Sequence, residues 1–164
     1  MENIESKYYT PDIEEFRVGF EYEKKHDDVE RYLSKGVVWS IQKYGYDSTR
    51  LYKLVCQIQN KDIRVKYLDR ADIEELGYKL IKERANPDEK IYPNYIGVFH
   101  FSNEDQEKLF TQISMYLYTD GTSDLKVAQY ERTSNTTKQR SGPIFEGIVK
   151  NKSELKVLLK QLGL

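Results

Sequence analysis

The chain has 164 residues, of which 32% are charged and 13% aromatic, and its formal net charge is −1. This aromatic content excludes an intrinsically disordered chain, and the single cysteine, Cys56, excludes an internal disulfide framework. The length predicts a single domain, 1–164, in which residues 1–12 can form a flexible acidic lead-in.

The first residues contain no basic segment followed by an apolar one, so we expect no signal peptide. No apolar run approaches the roughly 20 residues that span a bilayer, so we expect no membrane insertion. These absences and the single cysteine predict a soluble protein of a reducing cytoplasm.

Charge is unevenly distributed along the chain. Residues 1–30 carry a net charge of −6, whereas residues 126–164 carry +5. This asymmetry indicates an anionic ligand at the basic part, head-to-tail contacts in a homo-oligomer, or two neighbouring segments that neutralise each other.

The N-terminal part predicts two strands and one ambiguous segment. From 15 to 23 apolar and charged side chains alternate, which is typical of a half-buried strand. A charged loop at 24–35 precedes a second strand at 37–41, which ends at the glycine-containing segment 44–48. Residues 51–59 fit a strand or a helix, and their periodicity does not decide between them. The apolar set of the first strand is Phe16, Val18, Phe20 and Tyr22.

The middle of the chain predicts a short helix between strands. A strand at 63–68 leads to Asp69, which we expect to cap a helix at 69–77, with Asp72 at its third position. Gly77 is a suitable C-terminal stop for this helix. Further strands are predicted at 78–82 and 95–101, with turns or loops at 60–62, 86–89 and 102–107.

A hairpin is predicted from strands at 109–119 and 123–132. A three-residue loop at 120–122 places apolar side chains opposite one another, which fixes the register of a half-buried sheet. Such loops prefer glycine at their last position, whereas Gly121 is central in this one. The predicted pairs are Leu117 with Leu125 and Met115 with Val127.

The C-terminal part predicts a polar loop at 133–142, a strand at 143–150 and a helix at 151–162. Asn151 caps this helix, and Glu154 completes a capping box. The whole chain therefore predicts an α+β fold: a mainly antiparallel sheet, curled or a partly open barrel, with the short middle helix and an amphipathic C-terminal helix. The apolar stripe of the last helix is Leu155, Leu158, Leu159 and Leu162.

Catalytic and metal-binding patterns are missing from the sequence. The two histidines, His26 and His100, have no spacing typical of a zinc site, and Cys56 lies in an apolar segment where a thiol is inert. Phosphate-binding glycine motifs are also missing. Glu21 and Glu23, roughly 7 Å apart on one strand face, are the remaining acid–base or metal candidates. We expect no catalytic residue, no metal and no cofactor.

The best candidate for a ligand site is the basic, hydroxyl-rich loop after the predicted hairpin. Its charges and hydroxyls suit a phosphate or nucleotide, and nearby tyrosines can stack a base; the same residues suit a partner protein, or a solvated loop. Duplex nucleic acid is not expected, because the net charge is slightly negative and no recognition helix is evident. The candidate residues are Arg132, Thr133, Lys138, Arg140, Tyr116, Tyr118 and Tyr130.

Three stretches of the chain, 16–23, 63–77 and 145–164, resemble small uncharacterised proteins carried by phages and mobile elements of gut bacteria. The resemblance covers about a third of the chain and transfers no functional residue. It implies a setting, namely a small accessory protein in the cytoplasm of a bacterial host cell.

The function predicted from these observations is non-enzymatic binding. In a phage setting the protein would act in counter-defence, either by sequestering a nucleotide-derived signal or by occluding a host protein. The alternatives are an oligomeric virion or assembly accessory protein and, third, an enzyme that uses Glu21 and Glu23.

Overall fold

The computed structural model describes residues 7–26, 38–45, 51–103, 109–132, 137–140 and 142–164. Antiparallel strands form two open sheets, accompanied by three helices in this described part, which confirms the α+β class. The chain divides into two compact units, Met1–Lys66 and Tyr67–Leu164, which we describe separately. The single-domain organisation stays a prediction.

The N-terminal unit contains a four-stranded sheet with strand order β1-β4-β2-β3. The ambiguous segment 51–59 is a helix, α1, which places Leu54 in the core. Phe20, Ile63 and Val65 are buried with it. The elements are β1 (Tyr8–Tyr9), β2 (Glu21–His26), β3 (Val38–Lys43), α1 (Leu51–Gln59) and β4 (Ile63–Lys66), with a 3₁₀ turn at Ile13–Glu15.

The predicted strand at 15–23 is wrong in most of its length, because β2 begins only at Glu21. Gly19 has φ of +90°, a left-handed conformation that glycine adopts readily and that ends an extended segment. Val18 is 73% exposed instead of sharing a buried side with Phe16 and Phe20. The alternating aromatic residues belong to a cluster of packed rings. The ring centroid of Phe16 lies 5.0 Å from that of Phe20, 5.2 Å from that of Tyr22 and 5.6 Å from that of Tyr44.

The predicted loop at 24–35 is partly corrected, since β2 continues to His26. The strand predicted at 37–41 is found as β3, and β4 matches the strand predicted at 63–68 in its first four residues. The rest of the charged loop and most of the segment 44–48 lie outside the described residues.

The C-terminal unit contains a six-stranded antiparallel sheet with order β10-β8-β7-β6-β5, and β9 pairs with β8. The predicted strands are found with shifted ends, and a short strand lies within the loop predicted at 133–142. The elements are α2 (Arg70–Glu75), β5 (Lys79–Ala85), β6 (Tyr95–Ser102), β7 (Leu109–Tyr118), β8 (Ser123–Arg132), β9 (Thr137–Gln139), β10 (Phe145–Ile148) and α3 (Lys152–Gln161).

The β7–β8 hairpin exists, but its predicted register is wrong. The loop consists of residues 119–121, so Gly121 stands last, with φ of +87°, and its N–H donates to Tyr118 O at 3.1 Å. This position matches the known glycine preference of three-residue loops and removes the conflict in the predicted one. The observed pairs are Ile113 with Val127, Met115 with Leu125 and Leu117 with Ser123.

The core of this unit lies on one face of the sheet. Two helices cover that face, with Ile73 of α2 and Leu155 and Leu159 of α3 fully or almost fully buried. The predicted capping box of α2 is confirmed, because Asp69 and Asp72 each accept a hydrogen bond from the backbone N–H of the other. The strand residues of the core are Phe101, Ile113, Met115, Leu125 and Val127.

The cap of α3 gives a stability prediction. The predicted cap is confirmed, since Asn151 Oδ1 accepts from the N–H of Glu154 at 3.0 Å, whereas Glu154 Oε2 accepts from the N–H of Lys150, the residue before the cap, at 2.7 Å. We expect Asn151→Ala to lower the free energy of unfolding by about 1–2 kcal/mol, because it leaves a helix N–H without its acceptor. Urea denaturation of this variant beside Gln161→Ala, an exposed change in the same helix, checks it; equal effects would contradict the cap.

Candidate ligand-binding site

The predicted site residues lie at two ends of the β7–β8 hairpin. Tyr116 pairs with Asp124 near the turn, whereas Phe110 pairs with Tyr130 near the other end. Six residues of strand separate these pairs, about 20 Å. The structure therefore brings Tyr130 close to the basic residues and leaves Tyr116 and Tyr118 far from them.

The basic end of the hairpin is described in part. Arg132 ends β8, Lys138 lies in β9 opposite Glu131, and the N–H of Arg140 donates to Gln129 O at 3.0 Å. Thr133 lies outside the described residues. The rings of Phe110 and Tyr130 stack at 5.5 Å, and the Arg132 guanidinium lies 5.6 Å from the Phe110 ring. The Tyr130 ring therefore packs against another side chain of the protein. A role of this end of the hairpin in ligand binding stays a prediction.

At the turn end, tyrosine hydroxyls are held neutral. Tyr118 donates to Asp124 Oδ2 at 2.8 Å, and this bond, followed by burial and nearby charge, raises the pKa of Tyr118 to about 12. Burial raises the pKa of Tyr95, and the nearby Tyr116 raises it further. The ring centroids of Tyr95 and Tyr118 lie 6.2 Å apart.

A shallow cavity of about 420 Å³ lies beside these tyrosines. Its lining residues include Tyr116, Tyr118, Asp124, Lys126 and Glu146. Two carboxylates against one amine make it unsuited to an anion.

A second cavity, in the N-terminal unit, has the opposite charge balance. It measures about 380 Å³, within the range of small-molecule sites, and lies between the β2–β3 hairpin and α1. We call it the lysine cavity, after Lys24 of β2, Lys43 of β3 and Lys53 of α1. The other lining residues are Tyr22, Gln42, Tyr44, Gly45, Leu54 and Gln57.

The geometry of the elements explains this convergence. Tyr22 and Lys24 are two residues apart on β2 and share a strand face, and Gln42 pairs with Tyr22 across the hairpin. Lys53 and Gln57 are four residues apart on α1 and share a helix face. Amines, amides and tyrosine rings therefore meet at one cavity, which suits an anion that carries an aromatic ring.

The charge of the lysine cavity is only partly compensated within the described residues. Lys43 Nζ lies 3.5 Å from Glu21 Oε1, whereas neither Lys24 nor Lys53 has an ion-pair partner in the part of the chain that the structure describes. Lys53 is exposed and Lys24 half-buried. An anionic ligand would supply the missing counter-charge.

The two glutamates that the sequence offered for acid–base chemistry are both ion-paired. Glu21 contacts Lys43, and Glu23 Oε2 accepts from Arg64 Nε at 2.7 Å. The Arg64 guanidinium lies 3.8 Å from the ring centroid of Tyr8 and 4.1 Å from that of Trp39, so the pair is fixed by stacking. Either carboxylate would have to leave its cation to serve as a base or metal ligand.

Sequence reasoning missed the lysine cavity, because its cations come from three elements and form no run. The available signals were the shared face of Tyr22 and Lys24 and the i, i+4 pair Lys53 and Gln57. Both were obscured by the misplaced first strand and the undecided helix.

Fold and site together define a class: an α+β protein of two open antiparallel sheets with a lysine-lined cavity in its N-terminal unit. No protein-family model, no curated protein and no solved structure matches the chain. The resemblance to phage and mobile-element proteins therefore stays an interpretation of the sequence. No helix in the described ranges is long and apolar enough to cross a membrane.

Proposed function

We propose that this protein binds, without transforming it, a small anion of the nucleotide class, and that the lysine cavity is the site. The observation that carries the proposal is the convergence of three lysines and two tyrosines on a cavity of about 380 Å³. Amines bind phosphate oxygens through charge-assisted hydrogen bonds, and tyrosine rings offer apolar faces to a base.

The biological role that we attach to this binding is counter-defence inside a bacterial cell. Sequestration of a nucleotide-derived immune signal requires tight binding and no catalysis. This role is supported by the phage-like resemblance of the sequence and by the absence of catalytic motifs from it.

The test is calorimetric titration of the purified protein with a panel of bacterial cyclic nucleotides and ADP-ribose derivatives. We expect one member of the panel to bind, and Lys24→Ala with Lys53→Ala to weaken that binding at least tenfold. Each charge-assisted hydrogen bond contributes about 1.5–3 kcal/mol, and 1.4 kcal/mol corresponds to a factor of ten.

A matched control is available on the same strand. Lys25 adjoins Lys24 but faces the opposite side of β2, opposite Trp39, so Lys25→Ala removes the same charge as Lys24→Ala alone and should leave affinity unchanged. A variant with Arg132→Ala and Arg140→Ala tests the loop predicted from the sequence. If that variant loses binding while the cavity variant keeps it, the site lies at the loop.

Failure of every ligand in the panel would favour occlusion of a host protein. The exposed side chains of Ile91 and Tyr92 offer contact area for that function, on a loop that Asn86 fixes by donating to Tyr92 O and Tyr95 O at 2.7 Å each. Native mass spectrometry of the same sample reports any co-purified ligand and the subunit number, and a large symmetric oligomer without ligand would favour the assembly role.

A further inference from the structure

The face of the six-stranded sheet opposite its core carries a polar cluster. Strand register places Lys82 of β5, His100 of β6 and Ser114 of β7 side by side. Ser114 Oγ lies 2.8 Å from His100 Nδ1, and Gln112 Nε2 donates to the same nitrogen at 3.1 Å. With the Gln112 amide in this orientation Nδ1 is the acceptor, so the neutral ring carries its proton on Nε2, for which no described residue supplies a partner.

The surroundings of this histidine are electropositive. Burial, followed by the charges of Arg84 and Lys82, lowers the pKa of His100. Lys82 and Arg84 are exposed, and neither has an ion-pair partner within the described ranges. The groups on the same face of the neighbouring strands are Lys79, Lys82 and Arg84 on β5, Tyr116 and Tyr118 on β7, Asp124, Lys126 and Tyr130 on β8, and Glu146 on β10.

The two carboxylates among these groups are already engaged. Asp124 accepts from Tyr118, and Glu146 lies 3.7 Å from Lys126 Nζ. The positive charges of Lys82 and Arg84 are thus the uncompensated ones beside His100. This excess of positive charge attracts an anion to this part of the face.

A buried hydroxyl lies on the same strand as His100. Ser102 follows His100 by two residues on β6, pairs with Gln112 and is fully buried. Its Oγ has no hydrogen-bond partner in the described part of the chain. A buried hydroxyl without a partner costs about 1–3 kcal/mol, and because Ser102 is shielded from solvent we do not count it among the residues that contact an anion.

We propose that the cluster of Lys82, Arg84, His100 and Ser114 binds a phosphate-type oxyanion and takes up a proton at His100 as it does so. The proton adds to Nδ1, after which Ser114 Oγ accepts from the ring and the Gln112 amide turns to present its oxygen. The anion offsets the two cations, and the imidazolium then strengthens its hold on the anion. None of the residues of this oxyanion site lines the lysine cavity.

The sign of the pH dependence follows from this coupling. At constant charge of the anion, binding is tighter below the pKa of His100 and weaker above it, and reciprocally a bound anion raises that pKa. A tenfold preference of the anion for the protonated ring corresponds to a rise of about one pH unit at saturation.

The chain has only two histidines, so an NMR titration of the imidazole signals reports His100 directly, with His26 as internal reference. The probes are inorganic phosphate and the monoester AMP, each compared with chloride at equal ionic strength, and His26→Asn assigns the signals. We expect inorganic phosphate to raise the pKa of His100 and to leave that of His26 unchanged. Arg84→Ala should remove most of this rise, whereas Lys90→Ala in the β5–β6 loop should keep it.

An unchanged pKa of His100 at saturating concentrations of both probes, or an equal rise for both histidines, would overturn the proposal. So would a full response in both Arg84→Ala and Lys82→Gln. A response to inorganic phosphate but not to AMP would limit the site to the free ion, and the reverse would assign it to esters. The lysine cavity is tested by calorimetry on other residues, so either proposal can fail alone.

Discussion

Replacement of Phe101 by alanine is expected to lower the free energy of unfolding by about 3–5 kcal/mol. Phe101 is fully buried and pairs with Leu80 on one side and Ile113 on the other, within an apolar row that crosses the sheet. Truncation removes the ring contacts and leaves a cavity that the strands, held by their hydrogen bonds, cannot close. Domains are stable by about 5–15 kcal/mol, so the loss is a large fraction of the total.

Urea denaturation followed by circular dichroism measures this loss. Ile148→Ala is the matched control, because Ile148 belongs to the same sheet but is 66% exposed, and its truncation should change stability by less than about 0.5 kcal/mol. Similar midpoints for the two variants would show that the core does not lie on the face assigned to it.

Replacement of Gly97 by alanine is expected to affect both stability and the oxyanion site. A Cβ on Gly97 would lie 2.6 Å from the backbone oxygen of Arg84 and 3.3 Å from Cα of Ala85. Neither atom can rotate away, because both belong to the backbone of the paired strand β5. We expect a cost of about 1–3 kcal/mol and a displacement of β5 at Arg84.

Thermal unfolding and the phosphate titration of His100 test this variant together. The expected result is a lower melting temperature and a reduced phosphate-induced rise in the pKa of His100. Gly45→Ala is the control, since nothing lies within 4 Å of a Cβ there and its φ is not positive. A Gly97→Ala protein as stable as the control, with a full phosphate response, would contradict the close approach of β5 and β6.

The residues of the two proposed binding sites are dispersed along the sequence. Lys24, Lys43 and Lys53 are spread over three elements, and Lys82, Arg84 and His100 over two strands. A contiguous basic loop such as 132–141 attracts attention in a sequence because its charges are adjacent. Charges that converge only through strand pairing and helix packing leave no such local signal.

Several local features were predictable because their physics is local. The caps at Asp69 and Asn151 depend on a side chain and backbone groups within a few residues, and both are confirmed. Gly77 has φ of +92° and follows Leu76, the C-cap residue of α2, as the stop signal indicated. The strands near 95–101 and 123–132 were also predictable, because their composition is a local property of each segment.

Other predictions were wrong because two local structures fitted the same residue pattern nearly equally well. The alternation at 15–23 arises from a turn that gathers aromatic rings, and period-two spacing cannot distinguish this from a strand. The hairpin register differed from the predicted one because both arrangements pair apolar residues, and the left-handed conformation of Gly121 decides between them.

We could predict the α+β class, the helix caps, the hairpin and the composition of the apolar helix stripe from the residues alone, since these depend on short-range hydrogen bonding and periodicity. We could not predict that the strands form two sheets, that Glu21 and Glu23 are ion-paired, or that lysines of three elements share one cavity. Those outcomes depend on which distant segments pair, and the free-energy differences between alternative pairings are sums over many contacts that no short stretch of sequence contains.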